Sequence, residues 1–335
     1  MKRFVITACA ALLLAYGLPL CTLGMDKAPE KQKSQSPEGS ELASAQGYDE
    51  KTQVTVLIDG QVQTLPLSRY LRGVVAAEMP ASFPAEALRA QAVAARTYTL
   101  YKLDAYEQGV EIPAEHQGAQ LCNDFTHCKA YVDVEAMKED LWGDQADKYQ
   151  AVINDAVSST DGMVVTYQGD PIAAVFHAAS SGQTEAALDV WGSSHPYLVS
   201  VESPGEEACP KYEGTVTISP QEFASKFWEK HPEANFNDAP TGWFKDSNRS
   251  QSGGIINVSV GGVRVSGTEI RSMLGLNSTN FTLEASDDAL VFHTTGYGHG
   301  VGLSQYGARE LALEGNNFSD ILKWYYQGTE ITIKT

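Results

Sequence analysis

The chain has 335 residues, 43% hydrophobic and 20% charged, which is enough to bury a sizeable core and excludes wholesale disorder. Its 24 Lys and Arg stand against 42 Asp and Glu, a formal charge of −18. That balance argues against a nucleic-acid partner, because phosphate binding needs a basic face, but it leaves a neutral, sugar-like substrate open. The 29 glycines and 14 prolines exclude a simple helical bundle.

Lys2 and Arg3 precede an apolar run from Phe4 to about Leu23, the layout of a signal sequence whose positive end stays inside. Ala15-Tyr16-Gly17 is a candidate cleavage site, yet the run continues past it and reaches the roughly 17–25 residues needed to span a bilayer. The reading favours an uncleaved membrane anchor at 1–24, with the rest of the chain extracytoplasmic. Residues 25–50 are polar and read as a flexible stalk. The folded region is then 51–335.

Gln53–Ile58, Asp59-Gly60 and Gln61–Leu65 spell a hairpin around a turn dipeptide. Tyr70, Leu71, Val74 and Val75 recur at helical spacing over Ser68–Glu78, and Pro80 ends that helix. Pro84 opens a second, alanine-rich helix over about Ala85–Leu103. Residues 104–148 read as an irregular insertion carrying two cysteines. A helix follows at about 145–159, then paired strands Met163–Tyr167 and Ile172–His177. A helix at Pro220–Glu229, a polar loop over 231–254 and a hairpin around Gly261-Gly262 come next. A short helix, strands near 280–293, a glycine loop and a last helical stretch, about Ser304–Leu313, complete the order. Helices and strands mix without a βαβ rhythm, so the fold class is α+β, with short, mostly antiparallel strands around a substrate groove.

Glu78 falls at the C-terminal end of its helix, inside the apolar run Val74–Ala77. The negative end of the helix dipole and an apolar surround both raise a carboxyl pKa, as a general acid working near neutrality requires. A glutamate at a frayed helix end, pointing into water, would fit the same position. The run Gly296–Ala308 (GYGHGVGLSQYGA) brings backbone close to whatever it faces, but Val301 stands where a dinucleotide loop needs its third glycine, and no phosphate-loop Lys follows. His299 and Gln305 give that loop functional weight. Phe176–Gly182 offers His177, Ser180 and Ser181 at a strand end. A Ser–His hydrolase would need a third group such as Asp189, and no GxSxG elbow exists. His116, Cys122, His127 and Cys128 suit a tetrahedral zinc, while an exported chain could instead pair Cys122 with Cys128 in a disulfide.

Four segments in order resemble the stage II sporulation protein D family of lytic transglycosylases: Gly73–Tyr98 around Glu78, Phe176–Glu185, Val190–Glu206 and Gly296–Ala308. The similarity covers nearly all of the folded region. It implies cleavage of peptidoglycan between N-acetylmuramic acid and N-acetylglucosamine in peptide-stripped glycan strands. The product would be a 1,6-anhydromuramoyl end, with Glu78 as the catalytic acid and base. It also implies work beside the sporulation amidase, protein P, and the membrane protein M during forespore engulfment, at the engulfing mother-cell membrane. Arg96, His177, Ser180, Ser181, Tyr197, His299 and Gln305 are the candidates for holding sugars. The family resemblance further implies a structural, non-catalytic zinc on His116, Cys122 and Cys128, its fourth ligand open among His127, Asp124 and water. Two readings compete: a non-catalytic glycan-binding activator of a cell-wall amidase, and a zinc amidase or peptidase.

Overall fold

The computed structural model describes residues 47–335, Thr126 excepted. The expected anchor and residues 25–46 of the expected stalk lie outside the described residues. Among the described residues no helix is long and apolar enough to cross a membrane.

The fold is α+β, with two hydrophobic cores. The Ala85–Glu107 helix runs through the larger one, and Ala87, Ala90, Ala92, Ala94 and Ala95 are all buried on it. Because these side chains are small, helices Leu67–Glu78, Ala146–Ser158, Gln305–Leu313 and Phe318–Tyr325 approach its backbone closely. The first hairpin forms as the turn residues require, with Asp59 at φ 49° and Gly60 at φ 80° between Gln53–Ile58 and Gln61–Pro66. The expected irregular insertion has an ordered root: Leu121–Cys122 joins this hairpin as a parallel third strand, with Val56 opposite Leu121. It also holds a helix, Val134–Trp142, whose first turn is capped by Asp133.

Three expectations change. The hairpin expected of Met163–Tyr167 and Ile172–His177 is short: Asp170–Pro171 pairs with Met163–Tyr167 and the Ile172 N–H reaches Val165 O at 3.2 Å, while Phe176–His177 pairs in parallel with Leu303–Ser304. An apolar run fits a buried strand whichever partner it takes, so pattern alone could not choose. Within the polar loop 231–254, Phe244–Arg249 is an edge strand on Ile255–Val260. Residues 245–249 are exposed, so no apolar alternation marked it. The Gln305–Leu313 helix is also not the last element: Phe318–Tyr325 follows, capped by Asn317, and Glu330–Ile333 pairs with Met163–Tyr167.

The smaller core gathers Phe223, Phe227, Trp243 and Phe292 between the Pro220–Trp228 helix and two antiparallel three-stranded sheets.

The folded region reaches back beyond Lys51. Tyr48–Lys51 is a helix whose Asp49 is 2% exposed, and Asp161 accepts the Gly47 and Asp49 N–H groups at its start. Arg96, a candidate for sugar binding, is 0% exposed and spends its guanidinium here. Nε and Nη2 lie 2.8 and 2.5 Å from the two Asp49 oxygens, and the Met163 and Val157 carbonyls accept its other N–H groups. It ties the N-terminal helix to the core and is not free to touch a ligand. Arg96→Met leaves Asp49 buried and unpaired, so it should lower unfolding free energy by about 3–5 kcal/mol. The urea midpoint measures this, and Arg96→Met with Asp49→Leu should recover much of the loss.

Candidate active site and metal centre

Glu78 ends its helix because Met79 turns extended, its N–H closing the last turn onto Val75 O. Met79 is buried at 2% exposure, which anchors the turn, while Glu78 itself stays half-buried and reachable. The Glu78 Oε1 accepts the Ala130 N–H at 3.0 Å, and Gln305, whose Nε2 lies 3.5 Å from Gln91 Oε1, acts on the same carboxylate. Burial pushes the Glu78 pKa up, and the Lys129 ammonium, the Ala130 N–H and Gln305 only partly offset that rise. The frayed, solvated alternative is not what the chain adopts.

Lys129 is the site residue the sequence reading missed. Its Nζ stands 3.7 Å from the Phe176 ring centre and 4.4 Å from that of Tyr98. Burial pushes its ammonium down to about 8, against the pull of Glu78. The signal is one position from the cluster: Lys129 directly follows Cys128.

The parallel pairing of Phe176–His177 with Leu303–Ser304 brings the two loops singled out in the sequence together. Gly298 and Gly302 have φ of 124° and 74°, and a Cβ on Gly298 would stand 2.7 Å from the His177 Cβ. The alternating glycines are therefore a packing requirement at those positions. His177 Nδ1 lies 3.1 Å from Val301 O, so it carries the ring proton and leaves Nε2 as an acceptor. Burial pushes His177 down to about 4, which keeps it neutral. His299 accepts the Val301 N–H on Nδ1 at 3.1 Å, so its neutral ring carries the proton on Nε2. Burial holds His299 well below its usual range. Its ring centre lies 5.5 Å from His177 and 5.3 Å from Trp191, a tryptophan 43% exposed and also missed. Lys129 acts electrostatically on His299 as well as on Glu78.

Other candidates take structural positions. The Tyr197 hydroxyl accepts the Ala173 N–H at 3.2 Å, and its ring packs on Tyr167. Ser181 donates to Ser252 O at 2.9 Å. Ser180 donates to Glu206 Oε1 at 2.7 Å, not to a histidine, so no Ser–His pair forms. Ser304 Oγ sits 2.8 Å from Glu206 Oε2, which makes the 1%-exposed Glu206 a clasp between the His177 loop and the Gln305 helix. Burial pushes Glu206 up to about 7, against the Ser203, Ser180 and Ser304 hydroxyls. A folded pKa above the unfolded one means this group's stability contribution is full below about pH 4.3 and is lost as pH rises through 7, roughly 3 kcal/mol in all. Glu206→Gln should remove that part of the pH dependence, seen as a smaller gap between urea midpoints at pH 5 and pH 8.

His116, Cys122, His127 and Cys128 bring one ligand atom each to within 4.8 Å of one another. Cys122 and Cys128 are free thiols, so the disulfide alternative is not adopted. His116 Nδ1 lies 3.1 Å from Ala119 O, which fixes its proton there and turns Nε2 into the cluster, 2.8 Å from His127 Nδ1 and 3.4 Å from Cys128 Sγ. Two thiols and two imidazoles with convergent lone pairs can hold a metal ion, and His127 stands where it could supply the fourth ligand. Cys122 reaches it from the short strand paired with the first hairpin, Cys128 from the turn before Lys129.

The Stage II sporulation protein family model matches residues 59–167. Stage II sporulation protein D of Bacillus subtilis (strain 168) is 36% identical over 99% of this chain and 96% of its own length. That of Bacillus amyloliquefaciens is 35% identical over 81% of this chain and 75% of its own. An amidase enhancer of Bacillus subtilis is 28% identical over 78% of this chain and 40% of its own.

Proposed function

The chain belongs to the stage II sporulation protein D family, and on that premise we propose that it is a peptidoglycan lytic transglycosylase with Glu78 as its acid and base. One observation carries the reading: a half-buried carboxyl at a helix end, its Oε1 held by the Ala130 N–H and its pKa raised by burial, with no acidic side chain hydrogen-bonded to it among the described residues. A hydrolase pairs two carboxyl groups, one to protonate the leaving oxygen and one to activate water or attack. A single carboxyl suits a reaction in which the sugar supplies its own nucleophile. Glu78 gives its proton to the glycosidic oxygen between N-acetylmuramic acid and N-acetylglucosamine, and that bond breaks. The C6 hydroxyl of the muramoyl unit then closes on C1, and Glu78 takes back the hydroxyl proton. The product is a 1,6-anhydromuramoyl end, with no water consumed.

The surrounding groups support this division of labour. Lys129 and the Ala130 N–H stabilise the carboxylate that forms when the proton leaves. Gln305 fixes its orientation. Trp191, packed beside the His299 ring, offers an aromatic face to the sugar. In this reading the His116, Cys122, His127 and Cys128 cluster holds a structural zinc that orders the insertion. The protein works outside the membrane that residues 1–24 anchor, on strands stripped by the sporulation amidase, protein P, and together with protein M during engulfment.

Mass spectrometry of products from peptide-free glycan tests the reaction. Anhydromuramoyl ends are the expected result. Reducing ends would mean a hydrolase, and glycan bound but uncut would mean a binding module akin to the amidase enhancer.

A further inference from the structure

The chemistry at Glu78 leaves one polar recess unused. It lies where the Ala179–Glu185 segment meets Ser278–Asn280 and Thr295–Gly300, at the junction of the two cores, and His299 lines it. It holds about 240 Å³ counting its open mouth, and narrows inside to room for a water-sized group. Hydroxyls, amides and glycine backbone make up its wall, with a single carboxylate, Glu185, 6% exposed. Glu185 Oε1 accepts the Gly254 N–H at 3.2 Å, while its buried Oε2 takes no hydrogen bond among the described residues. Glycines seat this side chain: a Cβ on Gly254 would strike Oε1, and one on Gly300 would come within 2.7 Å of Cγ. A buried acceptor without a donor is uncommon in a folded protein and fits a group that arrives with the ligand.

The charges nearby choose the donor. Arg271 acts on both His177 and His299, and its Nε is directed to the Leu276 and Asn277 carbonyls, with no carboxylate paired to it among the described residues. Lys129 adds a second positive charge on the His299 side. A cationic ligand would meet both, whereas a neutral N–H or O–H meets only the acceptor it needs.

We propose that this recess is a sugar subsite, in which Glu185 Oε2 accepts from the amide N–H or a hydroxyl of an N-acetylhexosamine unit flanking the bond cut at Glu78. The proposal rests on the glycan-cleaving reading. The full-length Glu78→Gln protein, which cannot cut, is titrated calorimetrically with a peptide-free glycan tetrasaccharide. Adding Glu185→Gln, or Gln183→Trp to plug the mouth without touching Glu185, should weaken binding about tenfold. The melting temperature should stay unchanged in the Gln183→Trp protein, which decides the matter if Glu185→Gln folds poorly. A de-N-acetylated tetrasaccharide should bind no more tightly than the acetylated one. Equal affinity across the variants overturns the subsite and leaves the reading of Glu78 standing. Tighter binding of the de-N-acetylated sugar overturns it in favour of a cation site. No binding by Glu78→Gln itself overturns the glycan reading and the subsite together.

Discussion

Glu78→Gln is expected to lower the rate of glycan cleavage about a thousandfold while leaving the fold intact, because one group serves both proton transfers. The amide oxygen still accepts the Ala130 N–H that now lies 3.0 Å from Oε1, so the turn after the helix stays in place. What disappears is the transferable proton. The pH profile gives the same residue a second, independent signature. Free enzyme must hold Glu78 protonated to begin, so kcat/KM should fall as pH rises through its pKa. Burial raises that pKa, which carries the active form toward neutrality. Lys129 opposes the rise with its positive charge. Lys129→Met should therefore move the falling limb to higher pH and slow the step that leaves Glu78 anionic. A limb that stays put would mean that the limb belongs to another group, and metal content measured on the same sample excludes loss of the neighbouring cluster.

How much of this was legible beforehand depended on the range of the interaction. The hairpin at Asp59-Gly60, the Glu78 helix and the alanine-rich helix follow from turn chemistry, 3.6-residue spacing and proline punctuation, and all three form within a residue or a few of their expected bounds. The α+β class was equally legible, and so was the His/Cys cluster that could hold a metal, whose four residues lie within thirteen positions of chain. Partners distant in sequence were not. Phe176–His177 finds Leu303–Ser304 across more than a hundred residues, and no local pattern encodes that choice. Arg96 illustrates the same limit from the opposite side. An arginine on an alanine-rich helix invites a ligand, but the carboxylate that claims Arg96, Asp49, sits in a stretch too polar to read as folded. Glu206 was hidden for a related reason: a glutamate among Ser, Pro and Gly reads as surface, and only the fold converges Ser180 and Ser304 upon it.

The second large effect concerns the insertion. Stripping the metal from the His116, Cys122, His127 and Cys128 cluster should lower the melting temperature by about 10 °C. That figure assumes a metal held at a thousand times its Kd, worth about 4 kcal/mol, in a domain where each kcal/mol moves the midpoint by a few degrees. Cleavage should fall with it, although the proposed reaction uses no cluster residue. Cys128 is followed at once by Lys129, whose charge faces Glu78, and by Ala130, whose N–H bonds its carboxylate. Freeing Cys128 frees both. Cys122 is fixed independently by the strand paired with Leu57, so a metal in the cluster would tie the first hairpin to the segment that holds Glu78. Two measurements separate this indirect role from a catalytic one. Cadmium, which also takes thiolate and imidazole ligands, should restore both melting temperature and rate, and the pH limb should be the same with either metal. A rate that tracks the identity of the metal would instead place the ion in the chemistry. A stripped protein with unchanged melting temperature and unchanged rate would break the link between the insertion and Glu78 altogether.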